Sequence, residues 1–146
     1  MGFSLDAFVG TAAELQRWKG QLPSTVVCPL SGELGLVPLT SRFSGELRTW
    51  VGEPKVSYPE YVLRWGKEAS GDMIVAFVSV GEFGNQSHEE VTIWTRGREA
   101  MTRVRLMPAL DYLREKAGMD LGDRDIESLL EQHRGEDAAE KWAAKS

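Results

Sequence analysis

Residues 73–80 read Met-Ile-Val-Ala-Phe-Val-Ser-Val, one hydroxyl among seven apolar side chains. In a strand, successive side chains point to opposite faces, so a run that is apolar at both parities must be covered on both sides. A membrane helix needs roughly 18 or more apolar residues, and this run is far shorter. It therefore predicts a central strand buried between two layers.

The flanking sequence extends that strand into an antiparallel sheet. Residues 89–95 alternate, with Val91 and Ile93 on one side and Glu90, Thr92 and Trp94 on the other. Residues 100–106 alternate again, Val104 and Leu106 inward against Arg103 and Arg105 outward. A long loop over 81–88 is expected between the first pair, and residues 96–98 make the second turn. Upstream, 4–9 reads as a first strand, and 24–30 with 34–39 as a hairpin whose Pro29 and Pro38 mark an edge or strand ends.

Helical spacing fills the intervals. Thr11-Ala-Ala-Glu14 matches a capping box ahead of Leu15, Trp18 and Leu22, and Pro23 closes that helix. Residues 41–50 and 58–68 are helical; in the second, Tyr58, Tyr61, Val62 and Trp65 share a face, with Pro59 in the first turn. Leu106, Leu110, Leu113 and Ala117 form a later stripe ended by Gly118. Beyond it, Asp123 caps a helix carrying Ile126, Leu129, Leu130 and His133, and residues 137–145 form a last helix anchored by Trp142. The expectation is an α+β fold: a mainly antiparallel sheet of five to six strands with helices packed on it, one globular domain over 1–146.

Composition matters for compartment and partner. The chain has 146 residues, enough to bury a core without disulfides or a structural metal. Its single cysteine, Cys28, and a start without basic or long apolar segments predict the cytoplasm. Net charge is −5, and residues 115–146 hold nine acidic against five basic side chains. Such a region repels phosphate backbones and attracts a basic partner, so neither nucleic acid nor a membrane is expected as partner. Arg96, Arg98, Arg103 and Arg105 form a local basic patch, too small on a chain of pI about 5.1 to hold nucleic acid.

Motifs for catalysis do not assemble. Cys28 lies in apolar Val26-Val27-Cys28-Pro29-Leu30, a setting that disfavours thiolate and predicts a buried structural thiol. The two histidines, His88 and His133, lack the spacing of a metal site. Asp120-Leu-Gly-Asp123-Arg-Asp125 fails the alternating pattern of a calcium loop. Neither a phosphate loop nor a nucleophile elbow is present, and Ser41, Ser44 and Ser79 have no patterned histidine. No cofactor is expected.

The segment Glu82-Phe83-Gly84-Asn85-Gln86-Ser87-His88 places an aromatic residue beside glycine at an expected loop tip, where it either folds back or binds something. This segment, followed by Val91-Thr-Ile-Trp94, resembles small bacterial proteins in which an aromatic-Gly loop precedes a strand ending in tryptophan and an acidic helical C-terminus follows. The opening 4–9, the apolar pair Val26-Val27 and the run 34–39 fit the same layout. Such proteins resemble, in size and layout, immunity partners of polymorphic toxins and secreted effectors. This chain departs in having Asn85-Gln86 where more glycine is usual, and in its strongly charged tail. The resemblance implies binding of a cognate protein toxin or effector with a basic surface, without catalysis, and transfers no catalytic residue.

The residues expected to make that contact are Glu82, Phe83, Asn85, Gln86 and His88 of the loop, with Asp120, Asp123, Asp125, Glu127 and Glu131 of the acidic region. Two other classes stay open. One is an effector chaperone or adaptor of a secretion or regulatory system that takes a short peptide in an apolar groove. The other is a small enzyme with dispersed residues such as Glu82, His88 and Glu89.

Overall fold

The computed structural model describes residues 3–30, 32–53, 55–83 and 86–119. Six strands form one antiparallel sheet: β1 (Phe3–Thr11), β2 (Cys28–Pro29), β3 (Leu34–Pro38), β4 (Ile74–Phe83), β5 (Gln86–Thr95) and β6 (Arg98–Val104). Their order across the sheet is β2-β3-β1-β4-β5-β6, which puts β1 and β4 at the centre. The helices are α1 (Ala12–Gln16), continued by a 3₁₀ turn at Arg17–Gly20, then α2 (Ser41–Val51), α3 (Glu60–Ala69) and α4 (Leu106–Ala117). The α+β expectation holds, and among the described residues no helix is long and apolar enough to cross a membrane.

Each face of the sheet has its own core. On one, Phe8, Val37, Val75, Phe77 and Trp94 pack against Leu15, Trp18, Phe43, Leu47, Val62 and Trp65 from α1 to α3 and the turn between. The rings interlock: Phe8 lies 5.2 Å from Trp18 and 5.0 Å from Phe77, and Trp18 meets Trp65 edge-on at 5.4 Å. On the other, Ala7, Val9, Leu36, Ala76, Val78, Val91 and Ile93 pack under Leu106, Ala109, Leu110 and Leu113 of α4. The central strand is thus covered on both sides, as its sequence requires.

Two glycines set how closely layers approach. A Cβ on Gly66, inside α3, would stand 2.5 Å, 2.6 Å and 2.7 Å from three ring atoms of Trp94. On Gly35 of β3, a Cβ would lie 3.1 Å from the Ala12 backbone, so its absence lets the start of α1 rest on the strand. The helix ends follow local chemistry. Thr40 accepts a hydrogen bond from the Phe43 amide at the start of α2, and Gly52 and Gly118, at φ 76° and 67°, end α2 and α4.

Several local expectations are corrected. The expected 81–88 loop is strand over 81–83 and 86–88: the β4–β5 ladder continues through Gly81↔His88 and Glu82↔Ser87 to Phe83↔Gln86. Trp94 lies opposite Val91 and Ile93, on the side of Glu90 and Thr92 as expected, and is buried there, 1% exposed, because helices cover that face too. β6 stops at Val104 and Leu106 opens α4; two register shifts bulge this edge, with Arg103 at φ 51°. β2 shrinks to two residues, since Pro29 offers no amide and Thr25 turns back onto the Leu22 carbonyl. In the capping box, Thr11 Oγ1 donates to the Glu14 carboxylate and leaves the backbone uncapped, while the Ala12 amide donates to Glu33 O at 2.7 Å.

Candidate functional site

The side chains that meet on the aromatic face follow from the register. Along β5, Trp94, Thr92, Glu90 and His88 share one parity; along β4 the matching series is Val75, Phe77, Ser79 and Gly81; on β1, Phe8 is followed outward by Asp6. The helices cover the aromatic end of these series. Past Phe8 and Phe77 the sheet runs on, and its surface turns polar.

There Asp6 and Ser79 are directly opposed across the β1–β4 ladder, and the Ser79 hydroxyl donates to Asp6 Oδ1 at 2.6 Å. Gly81 faces His88 without a side chain, and the imidazole reaches diagonally so that Nε2 lies 3.1 Å from Ser79 Oγ. Serine has one proton. With that proton on Asp6, Nε2 is the donor to Ser79, which fixes the imidazole with a hydrogen on that nitrogen. Tyr58, just ahead of α3, donates its hydroxyl to the same Asp6 oxygen at 3.3 Å.

Tyr58 is 43% exposed, with its ring 6.1 Å from Tyr61 and 6.5 Å from Phe77. Partial burial, and then the negative charge of Asp6, push its phenol up to about 12. It stays a neutral donor at ordinary pH. One ring along, Arg48 lies over Tyr61, its guanidinium carbon 5.2 Å from the ring centre.

The order of this chain is His88–Ser79–Asp6, with serine in the middle. In a nucleophilic triad histidine occupies the middle, takes the serine proton and is held by the acid. Here the serine proton points at the carboxylate and the serine oxygen accepts from histidine, the reverse of the proton path in a nucleophilic triad.

Among the residues expected from sequence, His88 is exposed and joins this cluster. Glu82, Phe83 and Gln86 belong to the strand ends of the same β4–β5 hairpin, in the backbone register given above. Asn85, Asp120, Asp123, Asp125, Glu127 and Glu131 lie outside the described residues, as do His133 and Trp142. Glu89 is separated from His88 by strand parity. It turns to the α4 side, where Oε1 accepts from the Leu106 amide and the Arg105 guanidinium, both at 3.3 Å. The arginine patch is partly neutralised: Arg105 pairs with Glu89, and Arg103 with Glu90 at 3.9 Å.

Sequence reasoning missed Asp6, Tyr58 and the Ser79–His88 pairing. A signal existed for two of them, because Asp6 is the one acid in strand 4–9 and Ser79 the one polar residue of 73–80. Cys28 is buried in the aliphatic core as expected, and desolvation pushes its thiol up to about 12. A shallow groove of about 670 Å³ between residues 21–24 and α2 contains Arg42 and Trp50. Its carboxylate is already held, since Glu46 accepts from both the amide and hydroxyl of Ser24 at 2.8 Å. Among the described residues no three His, Cys, Asp or Glu side chains come together as metal ligands.

Compared with protein-family models, with curated proteins and with solved structures, the chain matches none.

Proposed function

We propose that this protein is an immunity protein, which binds a cognate protein toxin or effector and neutralises it by occlusion, without turnover. The observation that carries the reading is the ordered, exposed surface at the end of the aromatic face that the described helices leave open. Asp6, Ser79 and His88 on three neighbouring strands, with Tyr58 from the segment before α3, are tied into one hydrogen-bonded unit, beside the hairpin end that carries Glu82, Phe83 and Gln86. A pre-ordered polar surface with an exposed aromatic ring loses little side-chain entropy on docking, which favours a macromolecular partner. The acidic composition of residues 115–146 supports a basic partner and fast encounter.

The test is protection. Cells expressing the cognate toxin should survive when the chain is co-expressed, and Asp6→Lys should abolish survival while leaving the fold intact. Charge reversal at Asp123 and Glu127 should slow association and flatten its dependence on salt. Failure of the wild-type chain to protect or to retain the toxin would end this reading.

One distance favours a second reading, a serine hydrolase: the 3.1 Å between Ser79 and His88. A fluorophosphonate probe that labels Ser79, and fails on His88→Ala, would install it in place of the first.

A further inference from the structure

Asp6 carries its two hydrogen bonds on one oxygen. Ser79 and Tyr58 both donate to Oδ1, and among the described residues no basic side chain forms an ion pair with Asp6. A half-buried carboxylate fixed on one side is a strong acceptor on the other, because its orientation is already set. Beside it stands the half-exposed ring of Tyr58, oriented by the same carboxylate. The molecule already uses the matching chemistry one ring further on, where Arg48 covers Tyr61.

We propose that Asp6 and Tyr58 together receive an arginine side chain presented by a protein partner, the guanidinium donating to Asp6 Oδ2 and stacking on the Tyr58 ring. This rests on the partner-binding reading and specifies what the partner supplies. A guanidinium is planar and weakly hydrated, and it can stack while donating in its own plane. An ammonium is compact and strongly hydrated, and does the two jobs less well. Ser79 and His88 act as positioning residues: the hydroxyl holds Asp6, and the imidazole occupies the hydroxyl oxygen, so that the serine proton stays on the carboxylate.

The experiment is an amide-resolved NMR titration of the isotope-labelled full chain with N-acetyl-arginine methylamide. Its neutral citrulline counterpart and its lysine counterpart serve as controls. The arginine probe should produce saturable shifts centred on Asp6, Tyr58, Ser79 and His88. Citrulline should bind roughly tenfold more weakly, as loss of one charge-assisted hydrogen bond implies. Asp6→Asn keeps an oxygen for Ser79 and Tyr58 but removes the charge, and should weaken arginine binding by a similar factor. Tyr58→Leu should weaken it roughly threefold, whereas Tyr58→Phe retains the stacking ring and loses less.

Equal binding of arginine and citrulline, equal binding of arginine and lysine, or unchanged affinity in Asp6→Asn would each overturn the assignment. The two readings fail separately. Arginine capture without protection from the toxin removes the immunity function alone, and full protection by Asp6→Asn removes the arginine site alone.

Discussion

The two faces of the sheet are built from different materials. One is held by interlocked rings, Phe8, Trp18, Phe43, Trp65, Phe77 and Trp94, under α1 to α3. The other is held by Ala, Val, Leu and Ile side chains under α4. Rings are large and rigid, and they make edge-to-face contacts that only one arrangement satisfies. Branched aliphatic side chains are smaller, and their neighbours relax more readily around a change. The aromatic face is therefore the more exacting of the two, and it is also the face whose far end carries the ordered polar cluster. A rigid base keeps Asp6, Ser79 and His88 in register.

The largest expected effect tests this contrast directly. Phe8→Ala removes a fully buried ring that touches Trp18, Phe43 and Phe77, and should cost about 3 to 5 kcal/mol. Leu113→Ala, equally buried under α4, should cost roughly 2 to 3 kcal/mol. Denaturant midpoints at constant slope measure both, and equal losses would break the comparison.

Gly66→Ala comes next. Alanine favours the helix, yet its methyl would enter the Trp94 ring, so a net loss of about 2 kcal/mol is expected. A neutral result would mean that α3 can lift off the sheet without consequence, and the aromatic face would not be the stiffer one.

The smallest effect sharpens the contrast by titration. Cys28, on the aliphatic side, is raised to about 12 by burial. Tyr58, at the open end of the aromatic face, is raised to about 12 by burial and then by Asp6. For both, the folded value lies above the unfolded one. The stability they contribute is complete below the ordinary thiol and phenol ranges and is lost as pH rises through the folded values. In a spectrophotometric titration Asp6→Asn should bring Tyr58 part of the way down, since burial remains. Cys28, followed through its thiolate absorbance, should not move. A shift in both would mean that the substitution had loosened the fold.

The sequence by itself determined the elements that depend on local pattern. The buried central strand at 73–80, the stripe from Leu106 to Leu113 with Gly118 as its stop, and the burial of Leu15, Trp18 and Leu22 all follow from spacing. Where sequence reasoning went astray, the cause was the second helical layer. With both faces covered, the alternation in β5 sorts aliphatic from aromatic instead of inside from outside: Trp94 lies opposite Val91 and Ile93, as the alternation gives, but in a core of its own. The 81–88 stretch looked like a loop because Gly81 and Gly84 interrupt its pattern; pairing with β4 and β1 makes most of it strand.

Tertiary structure alone decided the site. Asp6 and Ser79 are each a polar break in an apolar strand, visible in the sequence as isolated exceptions. They lie 73 positions apart, His88 a further nine, and Tyr58 arrives from the segment before α3. Register is set by long-range burial of two hydrophobic faces, and a slip of one residue would send Asp6 and Ser79 to the opposite side. Local pattern chooses strands and helices because it acts through neighbours in the chain; which strands lie side by side, and at what offset, is a property of the whole packed core.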